Sequence, residues 1–381
     1  MNKNNFHLGL NSLKVKYKGR NVGLLAITND KKVAFSYDKD WLKNGFAISP
    51  FSLPMEEKVF VPDNYHFDGL FGIFADSLPD AWGNLLLKRM LQEHGFGNDV
   101  TVLDRLALVG KSGMGALEYE PNYELGEQKE TADLDYLSMQ CQKVLQTEYS
   151  DDLDMLYRMG GSSGGARPKI LTTFEEREWI IKFPAHVDSK NIGEMEYDYS
   201  KCAMKCGILM TETKLYSSNL CSGYFGTVRF DRFTEDGDKK KVHMATAAAL
   251  LEADFHAPCI DYHTLMKLTR ILTKENKSEL ENMYRRMCFN VFAHNRDDHA
   301  KNFTFLYNES EDRWHLSPAY DLTYSNTYFG EHTTSVDGNG KNPGEKEIVN
   351  VGMQAGMKKQ SCMELMEQVK SIVHQELGKY I

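Results

Sequence analysis

The stretch CFNVFAHNRDDHAKNFTF, residues 288–305, decides more about the fold than any other part of the chain. Its first half is apolar with helical periodicity, and Asp297, His299 and Asn302 follow in the pattern D-x-H-x-x-N. Asp and Asn also collect in ordinary turns, because their side chains bond to nearby backbone groups. The pattern therefore needs support from neighbouring residues before it predicts a site.

The residues after Asn302 predict a hairpin that brings a second acidic group to the same place. Residues 303–307 (FTFLY) have the composition of a strand, residues 308–312 (NESED) that of a turn, and residues 314–316 (WHL) that of a returning strand. Such a hairpin turns the chain back to its origin, so Asp321 is expected near Asn302. One carboxylate and one amide oxygen suit Mg²⁺, which usually keeps phosphate and water as its other ligands.

The spacing of Asp297 and Asn302 is that of a kinase catalytic loop, in which the Asp accepts the proton of the substrate hydroxyl and the Asn holds magnesium. Upstream, Lys182 lies in an apolar, strand-like segment, residues 179–184 (WIIKFP), and Glu196 lies in a segment with helical periodicity. In kinases a strand Lys, held by a helix Glu, binds the α- and β-phosphates. Unrelated surface residues would not be expected in this order along the chain.

A glycine-rich segment, GGSSGGARPK at residues 160–169, precedes the strand that carries Lys182. Glycines allow backbone N–H groups to turn toward an anion, as they do in phosphate-binding loops. The segment matches neither the Walker A pattern nor the G-x-G-x-x-G pattern of ordinary protein kinases. Its alternative interpretation is a generic flexible loop, and its position before the Lys182 strand favours the phosphate loop.

These motifs make the chain resemble the HipA family of bacterial serine/threonine kinases, the toxin components of type II toxin–antitoxin pairs. The likeness extends over most of the chain and includes residues 68–82 (DGLFGIFADSLPDAW) and 109–117 (VGKSGMGAL) in the N-terminal part. It also includes residues 229–232 (RFDR) and 318–322 (PAYDL) in the C-terminal part. The combination is specific, although no single segment is.

The resemblance implies a role for each matching residue. Asp297 would be the catalytic base, and Asn302 with Asp321 would be the magnesium ligands. The serine that the family phosphorylates on itself aligns with Ser162, with Ser163 as the alternative. The implied ATP-binding residues are Lys182, Glu196, Phe230, Asp231, His299, Gly164, Gly165 and Lys169.

The resemblance further implies an ATP- and Mg²⁺-dependent protein serine/threonine kinase that switches itself off by phosphorylating its glycine-rich loop. It implies a helix-turn-helix antitoxin as partner and a protein substrate, for which a translation component is one candidate. DNA would be contacted only through the antitoxin. Two alternatives stay open: a kinase that acts on a small molecule, and a catalytically silent co-repressor that only binds an antitoxin.

Composition favours an enzyme of the cytoplasm. The chain has 381 residues, a net charge of −9 and 7 cysteines without disulfide-like spacing. Cys202 and Cys206 are expected to pack in a core. The acidic charge argues against a general nucleic-acid binder. We expect no signal peptide and no membrane association, because no apolar run approaches the length that spans a bilayer.

The expected fold class is α+β, with a small N-terminal α/β subdomain at residues 1–125 joined to a protein-kinase-like two-lobed domain at residues 137–381. The sheet-containing lobe of that domain is expected to reach about residue 233, and a mostly helical lobe is expected over residues 234–381. The polar stretch at residues 122–135 is predicted to be a linker.

Two local predictions concern the N-terminal subdomain. Strand-like segments separated by turn residues predict a small antiparallel sheet over residues 13–59. Ser77 is predicted to be the N-cap of a helix that has Pro79 in its first turn. The apolar side of this helix is expected to consist of Leu85, Leu86, Met90 and Leu91.

Overall fold

The computed structural model describes residues 8–96, 100–123, 133–150, 152–162, 164–254, 260–327 and 330–381. These residues form two compact units. Unit 1 contains the described residues up to Lys190, together with Tyr216–Ala245 and Ala249–Glu252. Unit 2 contains the described residues of Asn191–Leu215, Thr246–Ala248 and Ala253–Ile381. Within the described ranges, no helix has both the length and the apolar character needed to span a membrane.

The first part of unit 1 is an antiparallel sheet with short helices. Its elements are β1 (Ser12–Tyr17), β2 (Arg20–Ile27), β3 (Val33–Tyr37), α1 (Lys39–Asn44), β4 (Val59–Phe60), α2 (Gly72–Ala75), α3 (Ala81–Glu93), α4 (Val102–Val109) and β5 (Leu117–Glu120). The strand order is β4-β3-β2-β1-β5. Leu13, Val15 and Tyr17 alternate along β1 and are buried, as a strand with one core-facing side requires. The predicted antiparallel sheet is confirmed, and β5 joins it as a strand that the sequence did not predict.

The predicted N-cap at Ser77 is wrong, because helix α3 begins later, with Asp80 in the N-cap position. The Ser77 side chain is buried and accepts a hydrogen bond of 2.8 Å from the Tyr119 hydroxyl. The Ser77 N–H donates to the carbonyl of Phe74, so Ser77 closes the short helix α2 instead. The apolar side of α3 is formed by Trp82, Leu86, Leu87, Met90 and Leu91, whereas Leu85 is only partly buried.

The chain continues with α5 (Leu134–Leu145), α6 (Leu153–Gly160), β6 (Lys169–Phe174), β7 (Arg177–Lys182), α7 (Ile192–Lys205), β8 (Thr213–Tyr216), β9 (Tyr224–Val228), β10 (Arg232–Glu235), β11 (Asp238–Lys241), β12 (Met244–Thr246) and α8 (Ala247–Leu250). Within unit 1, β6, β7 and β9 lie side by side in antiparallel pairing, and β10 and β11 form a hairpin. One buried cluster joins α3 to this sheet through Trp82, Leu86, Leu156, Ile170 and Ile181. The predicted strand that carries Lys182 is β7, and the predicted helix that carries Glu196 is α7.

Unit 2 is mostly helical. Its remaining elements are β13 (Ile260–Asp261), α9 (Tyr262–Leu272), α10 (Lys277–Phe292), a single 3-10 turn (Ala300–Asn302), β14 (Thr304–Asn308), β15 (Arg313–Leu316), β16 (Thr334–Ser335), α11 (Glu345–Gln354) and α12 (Lys359–Leu377). Helix α10 packs against α9, α11 and α12, and its N-cap Asn276 accepts the N–H groups of Ser278 and Glu279. The apolar run before Asp297 is the buried end of α10, and β14 with β15 forms the predicted hairpin. Cys202 and Cys206 are buried, as expected.

The α+β fold class is confirmed. Unit 1 contains the described residues of the predicted N-terminal subdomain and part of the predicted sheet-containing lobe, whereas residues 191–215 of that lobe, which include α7, belong to unit 2. Strand pairing in unit 1 continues beyond residue 233 to Lys241 in β11. Most of the predicted linker, residues 124–132, lies outside the described residues. The proposed domain boundaries at residues 125, 137 and 233 therefore stay predictions.

Candidate active site

The D-x-H-x-x-N residues lie on a loop of unit 2 that runs from the end of α10 into the 3-10 turn before β14. The Asp297 side chain is 58% exposed, and its Oδ1 lies 4.0 Å from Nε2 of His299. The Asn302 amide donates from Nδ2 to the carbonyl oxygen of Asp297 at 2.8 Å. Because the NH₂ group is used for this bond, the amide oxygen of Asn302 faces away from that carbonyl. The loop thus orients this amide through a hydrogen bond of its own.

Asp321 follows the β14–β15 hairpin and is tied to the same loop through its neighbour Tyr320. The Tyr320 hydroxyl donates to the carbonyl of Lys301, and it also shares a hydrogen bond of 2.6 Å with the Thr304 hydroxyl. The Ser317 N–H donates to the Thr304 carbonyl at 2.9 Å. These bonds hold the segment before Asp321 against the residues that flank Asn302, as the sequence predicted for a returning hairpin.

The backbone at Asp321 has a φ of +58°. An L-residue disfavours this left-handed region, although Asp and Asn tolerate it better than most residues. Side chains held in such conformations are concentrated at functional sites, where the surrounding structure fixes them. Asp321 is half-buried. A carboxylate and an amide oxygen are the donor types that Mg²⁺ prefers, so the chemistry of Asp321 and Asn302 fits a magnesium ion.

Glu196 also belongs to unit 2, where it lies in the first half of α7 and is 3% exposed. Lys182 ends β7 in unit 1, and its Nζ lies 5.7 Å from the centroid of the Phe225 ring. A cation over an aromatic face is stabilised by the quadrupole of the ring. The predicted pairing of Lys182 with Glu196 stays a prediction, since the two residues belong to different units.

Unit 1 places a second lysine directly opposite Lys182. In the β6–β7 pairing Lys169 is the partner of Lys182, and Lys169 is 6% exposed. The Lys169 ammonium donates to the carbonyl oxygen of Gly164, inside the glycine-rich loop. Two cations at one end of a two-stranded ladder repel each other unless anionic groups lie nearby. Their position next to Gly164 suits the binding of a polyanion.

The glycine-rich loop is held by the start of α3. The Gly165 N–H donates to Oδ2 of Asp80 at 2.8 Å, and the Trp82 N–H donates to the Gly165 carbonyl at 3.3 Å. The indole N–H of Trp82 donates to the Lys169 carbonyl at 3.1 Å. The Asp80 carboxylate therefore accepts a hydrogen bond from a backbone N–H of the kind that could otherwise donate to a phosphate oxygen. Neither Asp80 nor Trp82 was predicted, although both lie in the segment 68–82 that carried the family likeness.

Ser162 is 6% exposed, and its hydroxyl donates to the carbonyl of Ser112 at 3.1 Å. Further along the loop, Arg167 forms a two-bond ion pair with Asp188, at 3.1 and 3.2 Å. The alternative serine, Ser163, lies outside the described residues. In this conformation the Ser162 hydroxyl faces the protein interior, so its phosphorylation requires the loop to move.

The segment RFDR at residues 229–232 contains a fully buried ion network. Asp231 is 0% exposed and accepts hydrogen bonds from Arg229 at 2.7 and 2.9 Å, from Arg232 at 2.6 Å, and from the Gly115 N–H at 2.8 Å. Burial alone would raise the pKa of Asp231, but the attraction of Arg229 and then of Arg232 outweighs it and lowers the pKa to about 2. The carboxylate is thus engaged inside unit 1. Phe230 beside it is half-buried.

The predicted site residues form two sets. Unit 2 brings together Asp297, His299, Asn302 and the segment before Asp321, and unit 1 brings together Lys182, Lys169 and the glycine-rich loop. Tyr320, which links the two halves of the first set, was missed. Its only signal in the sequence was its position next to Asp321.

Two family models match the chain. Residues 161–377 match the family model of the HipA-like C-terminal domain, and residues 13–120 match that of the HipA N-terminal domain. Among curated proteins, no match to the chain was found.

Two solved structures were compared with the chain. One is from the complex of HipA, HipB and operator DNA of the Shewanella oneidensis MR-1 toxin–antitoxin system. It matches with a TM-score of 0.71 and 16% sequence identity, and the match covers 96% of this chain and 90% of that chain. Another is the Helicobacter pylori proinflammatory kinase CtkA, with a TM-score of 0.38, 12% identity, and coverage of 55% of this chain and 90% of that chain. Only the first likeness is high enough to be informative, and it confirms the predicted fold.

Proposed function

The chain belongs to the HipA family, since the two family models match residues 13–120 and 161–377, and on this basis we propose that it is an ATP-dependent protein serine/threonine kinase. The observation that carries the proposal is the hydrogen-bonded arrangement in unit 2. Asn302 bonds to the backbone of Asp297, and Tyr320 ties the segment before Asp321 to Lys301. A base and two metal-binding oxygens on one fixed loop system are what phosphoryl transfer needs.

In the proposed reaction Asp297 accepts the proton of a serine or threonine hydroxyl on the protein substrate. The hydroxyl oxygen forms a bond to the γ-phosphorus, the bond from that phosphorus to the bridging oxygen breaks, and ADP leaves with the electron pair. Asp297 suits this role because it is exposed and therefore open to an acceptor from solution. Transfer of this kind depends mainly on positioning and on electrostatic stabilisation of the phosphoryl oxygens.

The family resemblance assigns residues to the nucleotide and to its metal ion. Asn302 and Asp321 would bind Mg²⁺, which when bound neutralises charge on the transferring phosphate. Lys182, supported by Glu196, would contact the phosphates together with Lys169, Gly164 and Gly165. His299, Phe230 and Asp231 would complete the nucleotide contacts. Since the Asp231 carboxylate is already bonded inside unit 1, we propose that this residue acts through its backbone.

We further propose a toxin role, in which a DNA-binding antitoxin with a helix-turn-helix neutralises the kinase. The solved relative with operator DNA contains a second protein, HipB, which supports a partner of this class. Residues 1–125 and 137–381 are proposed as the N-terminal subdomain and the kinase domain.

Phosphoryl transfer from radiolabelled ATP to protein tests this proposal. Asp297→Asn should lower transfer by at least ~100-fold, the usual contribution of a general base, while ATP affinity changes little. Asp312→Asn is the matched control, because Asp312 is 84% exposed in a turn of the same unit. Label that appears only on a small molecule would favour the small-molecule kinase. Binding of an antitoxin without any transfer would favour the silent co-repressor.

Self-phosphorylation of Ser162 is the proposed off switch. A phosphoserine carries about −1.5 to −2 charges and would repel the phosphates of ATP. Its esterified oxygen also has no hydrogen to donate to Ser112. Intact-mass measurement after incubation with ATP, followed by peptide mapping, should place one phosphate within residues 160–169 of the wild type and none in Asp297→Asn. A phosphorylated form that binds ATP as tightly as the unmodified protein would contradict the switch.

A further inference from the structure

Asp298, the residue that follows the proposed base, has a fully buried carboxylate. It is 0% exposed, whereas the side chain of Asp297 is 58% exposed. Oδ2 of Asp298 accepts hydrogen bonds from the Tyr262 hydroxyl at 2.8 Å and from Nδ1 of His332 at 3.1 Å. Oδ1 accepts the Thr334 N–H at 3.1 Å. Burying a carboxylate is costly unless it is paired and hydrogen-bonded, and these three donors meet that requirement.

The backbone of Asp298 is held as well, because the Thr334 hydroxyl donates to its carbonyl oxygen. The residue before the proposed base is fixed in the same way: the Arg296 carbonyl accepts the Thr333 N–H at 3.0 Å and the Thr333 hydroxyl at 3.1 Å. Residues 296 and 298 are therefore both anchored to the segment around β16. Asp297, between them, is the residue whose side chain faces solvent.

A second chain of hydrogen bonds connects Asp298 to helix α10. The Tyr262 hydroxyl, which donates to Asp298, accepts from Nδ2 of Asn290 at 2.9 Å. Oδ1 of Asn290 in turn accepts from Nδ2 of Asn295 at 2.9 Å. Burial, and then the charge of Asp298, raise the pKa of Tyr262 well above its ordinary value, so the phenol keeps its proton and remains a donor.

From this geometry we infer that Asp298 is a positioning residue for the base. The carbonyl groups of residues 296 and 298 are both fixed by hydrogen bonds and the Asp298 carboxylate is held inside, so the backbone of residue 297 has little freedom and its carboxylate stays on the exposed side. Tyr262, His332 and Thr334 hold Asp298, and Asp298 holds the loop. The inference rests on the proposed function, because it assigns these residues to the reaction that Asp297 would carry out.

The test compares two buried tyrosines of unit 2. Tyr262→Phe removes the hydroxyl that donates to Asp298. Tyr284→Phe is the control, because Tyr284 is equally buried but its hydroxyl donates to the carbonyl of Cys362 in α12, at 3.1 Å. Both variants lose one buried hydroxyl, but Tyr262→Phe should lose more thermal stability because its hydroxyl donates to a buried carboxylate. Both readouts are therefore taken at a temperature at which both variants are folded. Only Tyr262→Phe should affect the loop.

Two readouts are measured on both variants. The first is kcat for phosphoryl transfer, normalised to the fraction of protein that binds ATP. Since misplacing a catalytic group by about 1 Å costs on the order of 100-fold, Tyr262→Phe should lower kcat by roughly 10- to 100-fold with KM for ATP nearly unchanged. The second is hydrogen exchange of the amides at residues 295–302, which should accelerate about 10-fold or more in Tyr262→Phe and stay near wild type in the control.

His332 provides a conservative rescue. His332→Asn keeps a donor near the position of Nδ1 and should retain most of kcat, whereas His332→Leu removes the donor and should behave like Tyr262→Phe. Equal kcat and equal exchange in Tyr262→Phe and Tyr284→Phe would refute the positioning role. A wild-type protein without any transfer activity would refute the proposed function instead, and the exchange measurement would still decide whether Asp298 holds the loop. If Tyr262→Phe does not fold, Thr334→Val replaces it, since it removes the bond to the Asp298 carbonyl.

Discussion

Replacing Asp231 by Asn removes one negative charge from a buried ion network and leaves the size of the side chain almost unchanged. Arg229 and Arg232 remain, with side chains 2% and 7% exposed. Breaking a buried ion pair on one side costs about 3–5 kcal/mol, because the remaining charge is left without its partner. Glu178 still lies 3.5 Å from Arg229 and compensates in part. We therefore expect Asp231→Asn to lower the free energy of unfolding by about 3 kcal/mol.

The lowered pKa of Asp231 gives a second, independent value for the stabilisation that its negative charge provides. Burial opposes the shift, but the two arginines lower the pKa from 3.8 to about 2, which corresponds to roughly 2–3 kcal/mol of stabilisation. Because the folded pKa lies below the unfolded value, this stabilisation is complete above about pH 5 and is lost as the pH falls toward 2. The difference in the free energy of unfolding between the wild type and Asp231→Asn should therefore shrink across that pH range.

Urea denaturation followed by tryptophan fluorescence measures this effect at pH 7 and at a series of lower pH values. Trp41, Trp82 and Trp179 all lie in unit 1, so the signal reports mainly on the unit that contains Asp231. Asp238→Asn is the matched control: Asp238 is 76% exposed and pairs with Lys240 at 3.3 Å, and such surface pairs contribute only about 0–1 kcal/mol. If Asp231→Asn is no less stable than the control at pH 7, the reasoning about the buried network is wrong.

Three further predictions concern other parts of the molecule. Asp321→Ala should weaken ATP binding when Mg²⁺ is present and have little effect when it is absent, as calorimetry in both conditions can show. Gly83→Ala should destabilise the protein by about 1–3 kcal/mol in thermal denaturation, because its Cβ would lie 2.5 Å from the carbonyl oxygen of Gly161. The pKa of Glu252, which accepts the Gly72 N–H, is raised by burial to about 7. Since this exceeds its unfolded value, wild-type stability should fall as the pH rises from about 4.5 to about 7, and Glu252→Gln should show a flatter dependence on pH.

Features that depend on neighbouring residues could be predicted from the sequence. The β14–β15 hairpin, the strand that carries Lys182 and the helix that carries Glu196 each have a local pattern of apolar and turn residues, and all three are confirmed. The prediction of an N-cap at Ser77 was wrong because a contact with a distant residue decides the role of this side chain. A serine directly before a segment with proline in its first turn satisfies the local rule, but the helix begins only after Asp80, and the Ser77 hydroxyl accepts a hydrogen bond from a distant residue, Tyr119.

Contacts between distant residues were beyond sequence reasoning. Asp80 and Gly165 are separated by 85 positions, and His332 and Asp298 by 34. The residues next to each of these four positions in the sequence form no recognisable motif for the contact. The contact appears only once the chain has folded. His332 has no motif around it in the sequence, and the structure places it in the core as a partner of Asp298.

The glycine-rich loop has both a feature that the local sequence predicts and a contact with a distant residue. Its composition predicts backbone N–H groups that can face an anion, but the structure shows that an anion of the chain itself, the Asp80 carboxylate, already accepts from Gly165. Under the proposed function, a phosphate oxygen at Gly165 competes with Asp80, and a phosphate on Ser162 removes the donor to Ser112. Both contacts join the glycine-rich loop to residues earlier in the chain, Asp80 and Ser112. If the proposed function holds, substitutions near Asp80 should therefore change nucleotide affinity without changing the loop that carries Asp297.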